Sequence, residues 1–343
     1  TIFSQDIRFS IFGSPTRSGG LLNSLFFFFY IIFTALFIKE NSWEKLWTAN
    51  IVAGLLASLL AIVQYLQIFG NLFLSYEGGG TPSFLGNSTF LAVYMLFLGF
   101  WNFVLFFQEK NIKKKIFYAG LSVFFFLTMV ITGSRASYLG ALIGFFFFFF
   151  FYPKKFKILK IFAASLLVVV ILIVALFNLF PQLAEKNIFL KTIAPRLSIK
   201  TVAKDLIGTR FTAWKITLEA IKDKPILGWG PENFYIGFEK HYDPNLPNMQ
   251  RLWWDRPHNV FLEIWVNSGI LALILYVAFW LALFWKLQIY KRKQGEDRNT
   301  YLAHGLQTMF IGYLIVMFFN FNSFATLLIS SLFIGYAFYL LYE

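Results

Sequence analysis

The chain has 343 residues, 58% of them hydrophobic and 21% aromatic, with 47 Phe, a mean hydropathy of +0.64 and only 14% charged residues. A soluble core cannot bury that much apolar surface, so lipid is the main solvent and a soluble nucleic-acid-binding protein is excluded. The formal charge of +13 does not reopen that possibility, because the 30 Lys and Arg gather between apolar stretches, as membrane topology requires.

A membrane helix needs about 20 mostly apolar residues to cross roughly 30 Å of hydrocarbon. Nine such spans are predicted in chain order: Leu21–Ile38, Leu46–Phe69, Thr89–Phe107, Ile116–Thr132, Tyr138–Tyr152, Ile161–Phe180, Asn259–Trp285, Tyr301–Asn320 and Phe324–Tyr342. The expected fold class is all-α: a polytopic transmembrane helical bundle of about nine spans with one large, partly helical extracytoplasmic loop. The chain accordingly divides into N-terminal transmembrane helices (1–180), the loop (181–257) and C-terminal transmembrane helices (258–343). It opens at Thr1 in polar sequence, without a signal-type apolar core, and is expected to be a fragment.

The connections support this count. Lys39 and Lys45, then Lys110 and Lys113 to Lys115, then Lys154, Lys155, Lys157 and Lys160, then Lys286, Lys291, Arg292, Lys293 and Arg298 fall on every second connection. Those between them carry only Arg135, so nine spans alternate with the start outside and Glu343 inside. The long outer segment Pro181 to Pro257 is exempt from that rule. Within it, Phe211, Trp214, Leu218 and Ile221 recur at helical spacing, with Lys215, Lys222 and Lys224 on other faces, as in an amphipathic helix lying on a membrane surface. The turn-rich Pro225-Ile226-Leu227-Gly228-Trp229-Gly230-Pro231 follows. The runs Phe26–Phe29 and Phe145–Phe151 are read as lipid-facing filler, and Gly140 and Gly144 as a small-residue pair that lets helices approach.

Charge at the edge of hydrocarbon is costly, so each such residue is a candidate for function. Arg135, in the tight outer turn Thr132-Gly133-Ser134-Arg135, can reach a lipid phosphate or cap carbonyls. Arg210 opens the loop helix as Gly208-Thr209-Arg210, where free N–H groups and the helix dipole favour an anion; a solvated helix-start Arg is the plain alternative. Asp255-Arg256-Pro257-His258-Asn259 brings the loop back to the membrane and places a cation and a proton-transferring imidazole at the mouth of the next span. Asn259, Glu263 and Asn267 lie along one helical face, serving either a watery cavity or helix–helix contact. His304 and Gln307 read as structural. Cysteine is absent and the three histidines form no metal motif, so no metal and no cofactor is assigned.

Together these pieces resemble the O-antigen ligase and polymerase superfamily, membrane glycosyltransferases acting on glycans linked to polyprenyl diphosphate. The resemblance rests on Gly86-Asn87, Thr132-Gly133-Ser134-Arg135, Gly208-Thr209-Arg210 with Trp214, Pro225 to Phe234, and His258-Asn259-Val260-Phe261-Leu262-Glu263 ending at Ser268-Gly269-Ile270, in that order over Gly86 to Trp285. Asn267 and Ala272 stand where the family often has an acidic residue and a second glycine. The resemblance implies further N-terminal spans outside this sequence. It also implies that Arg135, Arg210 and Arg256 hold the donor diphosphate, that Asn259 and Glu263 border the substrate, and that His258 assists the acceptor hydroxyl or the leaving phosphate. The expected partners are a polyprenyl-diphosphate-linked glycan, a lipid, glycan or protein acceptor, and membrane lipid, with no nucleic acid. Diphosphate is a good leaving group, so fixed cations can stabilise the developing charge with neither metal nor nucleotide. The competing reading is a transporter, suggested by the Asn259-Glu263-Asn267 stripe and weakened by the lack of an internal repeat.

Overall fold

The computed structural model describes residues 2–14, 19–68, 80–152, 157–186, 198–205, 210–244, 253–294 and 298–342. Gly208, Thr209, Lys154, Lys155 and Pro247 therefore lie outside the described residues. Among the described residues the regular elements are all helical: α1 (Ile7–Phe12), α2 (Leu21–Phe37), α3 (Glu40–Leu66), α4 (Ser88–Gln108), α5 (Ile112–Ile131), α6 (Arg135–Phe150), α7 (Lys157–Leu179), α8 (Ile199–Asp205), α9 (Phe211–Asp223), α10 (Phe234–Lys240), α11 (Val260–Gln294), α12 (Arg298–Phe318) and α13 (Phe324–Tyr342).

Seven of these, α3, α4, α5, α7, α11, α12 and α13, are long and apolar enough to cross a membrane, so the protein is a multi-pass membrane protein. The expected count of nine includes two shorter apolar helices, α2 with 17 residues and α6 with 16. The starts follow capping chemistry. The Asn87 side chain accepts from Thr89 N–H at 2.8 Å to open α4, and Asn111 accepts from Lys113 N–H at 3.0 Å to open α5.

Contacts divide the chain into two units. The first comprises Thr1–Ile31, Ile199–Trp285 and Met317–Leu328; the second comprises Ile32–Ser198, Lys286–Val316 and Ile329–Glu343. The second unit is centred on α4, whose Leu91 to Phe100 side is almost wholly buried. An aromatic core forms where Trp47 meets Trp101 and Phe333, with ring centroids at 4.4 and 4.7 Å, and Trp43 meets Tyr336 at 4.9 Å. The small residues act as expected: a side chain at Gly140 would strike the Gly312 carbonyl oxygen at 2.6 Å, so α6 and α12 touch backbone to backbone. The Phe145–Phe151 run is not lipid filler throughout. Phe148 and Phe149 are buried, and both pack on Phe103 of α4 because a helix carrying aromatics at every position must turn some of them inward.

His304 belongs to this unit and is fully buried. Its Nε2 donates to the Phe148 carbonyl at 2.9 Å, one of the last carbonyls of α6 and hence without a helical partner, while Nδ1 accepts from Lys291 Nζ at 3.2 Å. The two contacts fix one tautomer and give the histidine a capping role.

Candidate functional site

The first unit is built on α9. Its Ala213, Ile216, Ala220 and Ile221 enter a core with Trp229, Phe234, Phe238, Trp254 and Val266. Of the four residues expected to form one apolar stripe, Ile221 joins that core, Trp214 is half-buried, and Phe211 and Leu218 face outward beside Lys215 and Lys222. The inward face is set by small residues, Ala213 and Ala220 with Thr212 and Thr217, because close approach needs small side chains more than large ones. The Trp229 indole N–H donates to the Ala220 carbonyl at 2.9 Å, and Lys224 Nζ lies 4.6 Å from its ring centre.

Helix α11 is not one continuous rod. Gly269 has φ 82° and ψ 175°, which separates a short helix, Val260 to Ser268, from the long helix that begins at Ile270. The Pro225–Gly230 turn occupies the break. The N–H groups of Trp229 and Gly230 donate to the Val266 and Asn267 carbonyls at 2.8 Å each, and the Ile270 N–H donates to the Pro225 carbonyl at 3.0 Å. A Cβ on Gly269 would lie 1.8 Å from the Ile226 carbonyl oxygen, so only glycine fits, by its φ and by the space. Two stretches of the resemblance, Pro225 to Pro231 and Ser268-Gly269-Ile270, thus form one structure.

Above the break sits Arg256, about nine-tenths buried. Its two terminal nitrogens pair with Glu263 of the short helix and with Glu232, and its guanidinium lies 5.4 Å from the Phe321 ring centre. Burial alone would lower its pKa, but Glu263, Glu232 and Asp255 outweigh that and raise it, so the cation is permanent. Glu232 does not stand out in the sequence. It has φ 63°, its second carboxylate oxygen accepts from Ser14 N–H at 3.4 Å, and its neighbour Asn233 donates to Ser10 Oγ at 2.6 Å. The N-terminal segment thereby packs on the Gly230-Pro231-Glu232 turn, with Ser10 Oγ also donating to the Pro231 carbonyl at 2.8 Å.

Two residues from Arg256, His258 also adopts a left-handed backbone, φ 52°. It is held on both sides. The Trp214 indole donates to the Pro257 carbonyl at 2.9 Å, and Asn259 caps the short helix by accepting from Phe261 and Leu262 N–H at 2.9 and 3.1 Å. The imidazole meets the Phe321 ring edge-on at 4.9 Å. Arg210 occupies the N-cap of α9, and Trp214 lies one turn further along the same face, so the Trp214–Pro257 bond draws the start of α9 toward the His258 turn. Of the expected site, Arg210, Arg256, His258, Asn259 and Glu263 all fall in this unit. Asn259 and Glu263 serve cap and ion pair, and Asn267 lends its backbone carbonyl to Gly230. A non-glycine residue held at positive φ costs about 1–3 kcal/mol and persists only when its surroundings over-determine it, as Glu232 and His258 are.

Arg135 belongs to the second unit, at the first position of α6. The turn before it is tied by Thr132 Oγ, which donates to Met129 O at 2.6 Å and accepts from Ser134 N–H at 3.2 Å, while Ser134 and Ser137 hydroxyls lie 2.9 Å apart. Thr81 Oγ donates to Ile131 O at 3.4 Å, and a Cβ on Gly80 would meet both Ser88 and the Thr132 carbonyl. The Gly86-Asn87 and Thr132-to-Arg135 motifs are therefore neighbours.

Residues 120–277, a little under half of the chain, match the sequence profile of the O-antigen ligase family. No curated protein matches the chain. That span includes Arg135, the whole of α9, the Arg256 ion pairs, His258 and the Gly269 break, so the protein is a multi-pass membrane protein that is similar to the O-antigen ligase family over residues 120–277.

Proposed function

We propose that the protein transfers a glycan from a polyprenyl-diphosphate carrier to an acceptor hydroxyl at the outer face of the cytoplasmic membrane. In this reading α2 and α6 complete nine crossings, residues 1–180 and 258–343 form the membrane part, and residues 181–257 form the extracytoplasmic loop. The observation that carries it is the over-determined turn at His258, braced by Trp214 and Asn259 within the span that matches the O-antigen ligase family.

The acceptor oxygen attacks the anomeric carbon, the bond from that carbon to the phosphate oxygen breaks, and the electron pair leaves on the diphosphate. His258 takes the hydroxyl proton. Arg210, at the N-cap of α9, stabilises the departing anion. Arg256 is a brace in this scheme. Both of its terminal nitrogens are committed to carboxylates, and it holds His258 in place rather than binding phosphate. The acceptor is a lipid, a glycan or a protein hydroxyl, and glycan profiling of those fractions in a deletion strain separates the three. The transport reading rests on the Asn259-Glu263-Asn267 stripe, in which Glu263 is paired with Arg256.

The test is transfer in vitro by purified, reconstituted protein from a polyprenyl-diphosphate glycan. His258→Ala and Arg210→Ala are each expected to lower turnover by about 10²-fold or more, with Arg135→Ala read separately. Unchanged turnover in the first two removes this mechanism.

A further inference from the structure

We infer that the Pro225–Gly230 turn is a re-entrant segment whose Ile226 and Leu227 side chains contact the acyl chains of the outer leaflet. The long part of α11 begins at Ile270 and meets its first cation at Lys286. Sixteen residues at 1.5 Å rise span about 24 Å, less than the roughly 30 Å of hydrocarbon, so with the Lys/Arg-rich end at the inner surface the Gly269 break lies at or just under the outer boundary. Helix tilt places it deeper.

The Ile226 carbonyl abuts Gly269, so the turn sits at that depth. Irregular backbone survives there only if its polar groups are satisfied within the protein. The Pro225 carbonyl and the N–H groups of Gly228, Trp229 and Gly230 meet it. Pro225 has no N–H, and its carbonyl accepts from Ile270 N–H and from the Trp265 indole at 3.1 Å; Gly228 N–H donates to Lys224 O at 3.1 Å; Trp229 and Gly230 donate into the end of the short helix. The side chains follow the same logic. Ile226 and Leu227 are 61% and 55% exposed, alongside the exposed Leu271, Ile274 and Leu275 of α11, whereas Trp229 turns into the core. Two adjacent exposed aliphatics would be costly in water but continue the lipid-facing surface of the helix. Lys222 and Lys224 stand just before the turn, as cations do where a segment leaves the headgroup layer.

The absence of cysteine makes the test direct. Ile226→Cys and Leu227→Cys, carrying nitroxides, are reconstituted in phospholipid bilayers, with Ile274→Cys as the lipid reference and Glu239→Cys as the aqueous one. Collision with oxygen relative to a water-soluble nickel chelate is expected to be several-fold higher at 226 and 227 than at 239, and close to that at 274. Accessibility to nickel equal to that at 239, at either position, overturns the inference. So does shielding from both reagents, which would mean that protein covers the turn.

Discussion

The Arg256 centre of the first unit and the His304 centre of the second are both buried, basic and hydrogen-bonded, yet they are built in opposite ways. Arg256 lies between two carboxylates drawn from separate stretches, Glu232 and Glu263, beside backbone held at positive φ at Glu232 and His258. Among the described residues, His304 has no carboxylate partner. It meets a helix-end carbonyl and a lysine through its two ring nitrogens, within regular helix, packed among Phe147, Phe148 and Tyr152. The second arrangement satisfies a polar group that the fold would otherwise leave open. The first accepts backbone strain and a surplus of negative charge, which helix packing alone does not call for. Strain with countercharge marks where side chains are being aimed; a lone satisfied base marks where a helix ends.

The largest expected effect falls on Arg256. Arg256→Ala leaves two buried carboxylates facing one another without a cation, which should cost about 3–5 kcal/mol and lower the thermal denaturation midpoint in detergent sharply. Replacing all three charges together, Arg256→Met with Glu232→Gln and Glu263→Gln, is expected to recover much of that midpoint, because a neutral set carries no unpaired buried charge. Transfer activity should not return with it. Recovery of both would mean that the ion pairs serve stability alone, and the contrast with His304 would disappear.

His304→Ala gives the intermediate effect. It leaves the Phe148 carbonyl and Lys291 Nζ without the imidazole and opens a cavity among rings, so a loss of about 1–3 kcal/mol is expected in the same measurement. Glycan transfer per folded molecule should stay within about two-fold of wild type, a change of less than 0.5 kcal/mol in the barrier. A loss of turnover as large as that expected for His258→Ala would place His304 in the chemistry and undo the distinction.

The sequence made these two centres unequally visible. The apolar spans are long-range averages over about 20 residues, and α3 to α5, α7, α12 and α13 end within a few residues of expectation, the start of α3 excepted. The break at Gly269 is hidden because apolar residues continue on both sides, and one glycine in a helix costs only about 1 kcal/mol. What sets it is the Pro225–Gly230 turn, some 40 residues away, and the polar Asn267-Ser268-Gly269 run is its only local trace. His258, Arg256 and Glu263 are legible as polar residues where a span begins. Glu232 is not, since its partners, Arg256 and the Ser14 N–H, are distant in sequence. The core-facing side of α9 is not legible for a physical reason: its small residues carry little hydrophobic signal. Phe211 and Leu218 stay on the outer side, and the neighbouring chain approaches the other side so closely that Ala213 and Ala220 fit there. Ser10 gave no sign of burial because its partners are the carbonyl of Pro231 and the amide of Asn233.

The smallest effect comes from a third charged group, at the exposed end of α9, which shows what solvent does to the same ingredients. The Asp223 carboxylate accepts from Lys240 at 2.9 Å and from His241 at 2.7 Å, and these bonds, Lys240 first, hold its pKa below the ordinary carboxylate value. A depressed folded-state pKa means that the contribution is complete above the unfolded value, near 3.9, and is lost as pH falls through the folded one. Lys240 stays cationic throughout. The midpoint gap between wild type and Asp223→Asn should therefore be present at pH 5 and shrink as pH falls below the unfolded value. Water screens the cluster, so the whole gap should correspond to no more than about 1 kcal/mol, as for other exposed pairs. A gap as large as that of Arg256→Ala would show that burial is not what separates the Arg256 centre from a surface ion cluster.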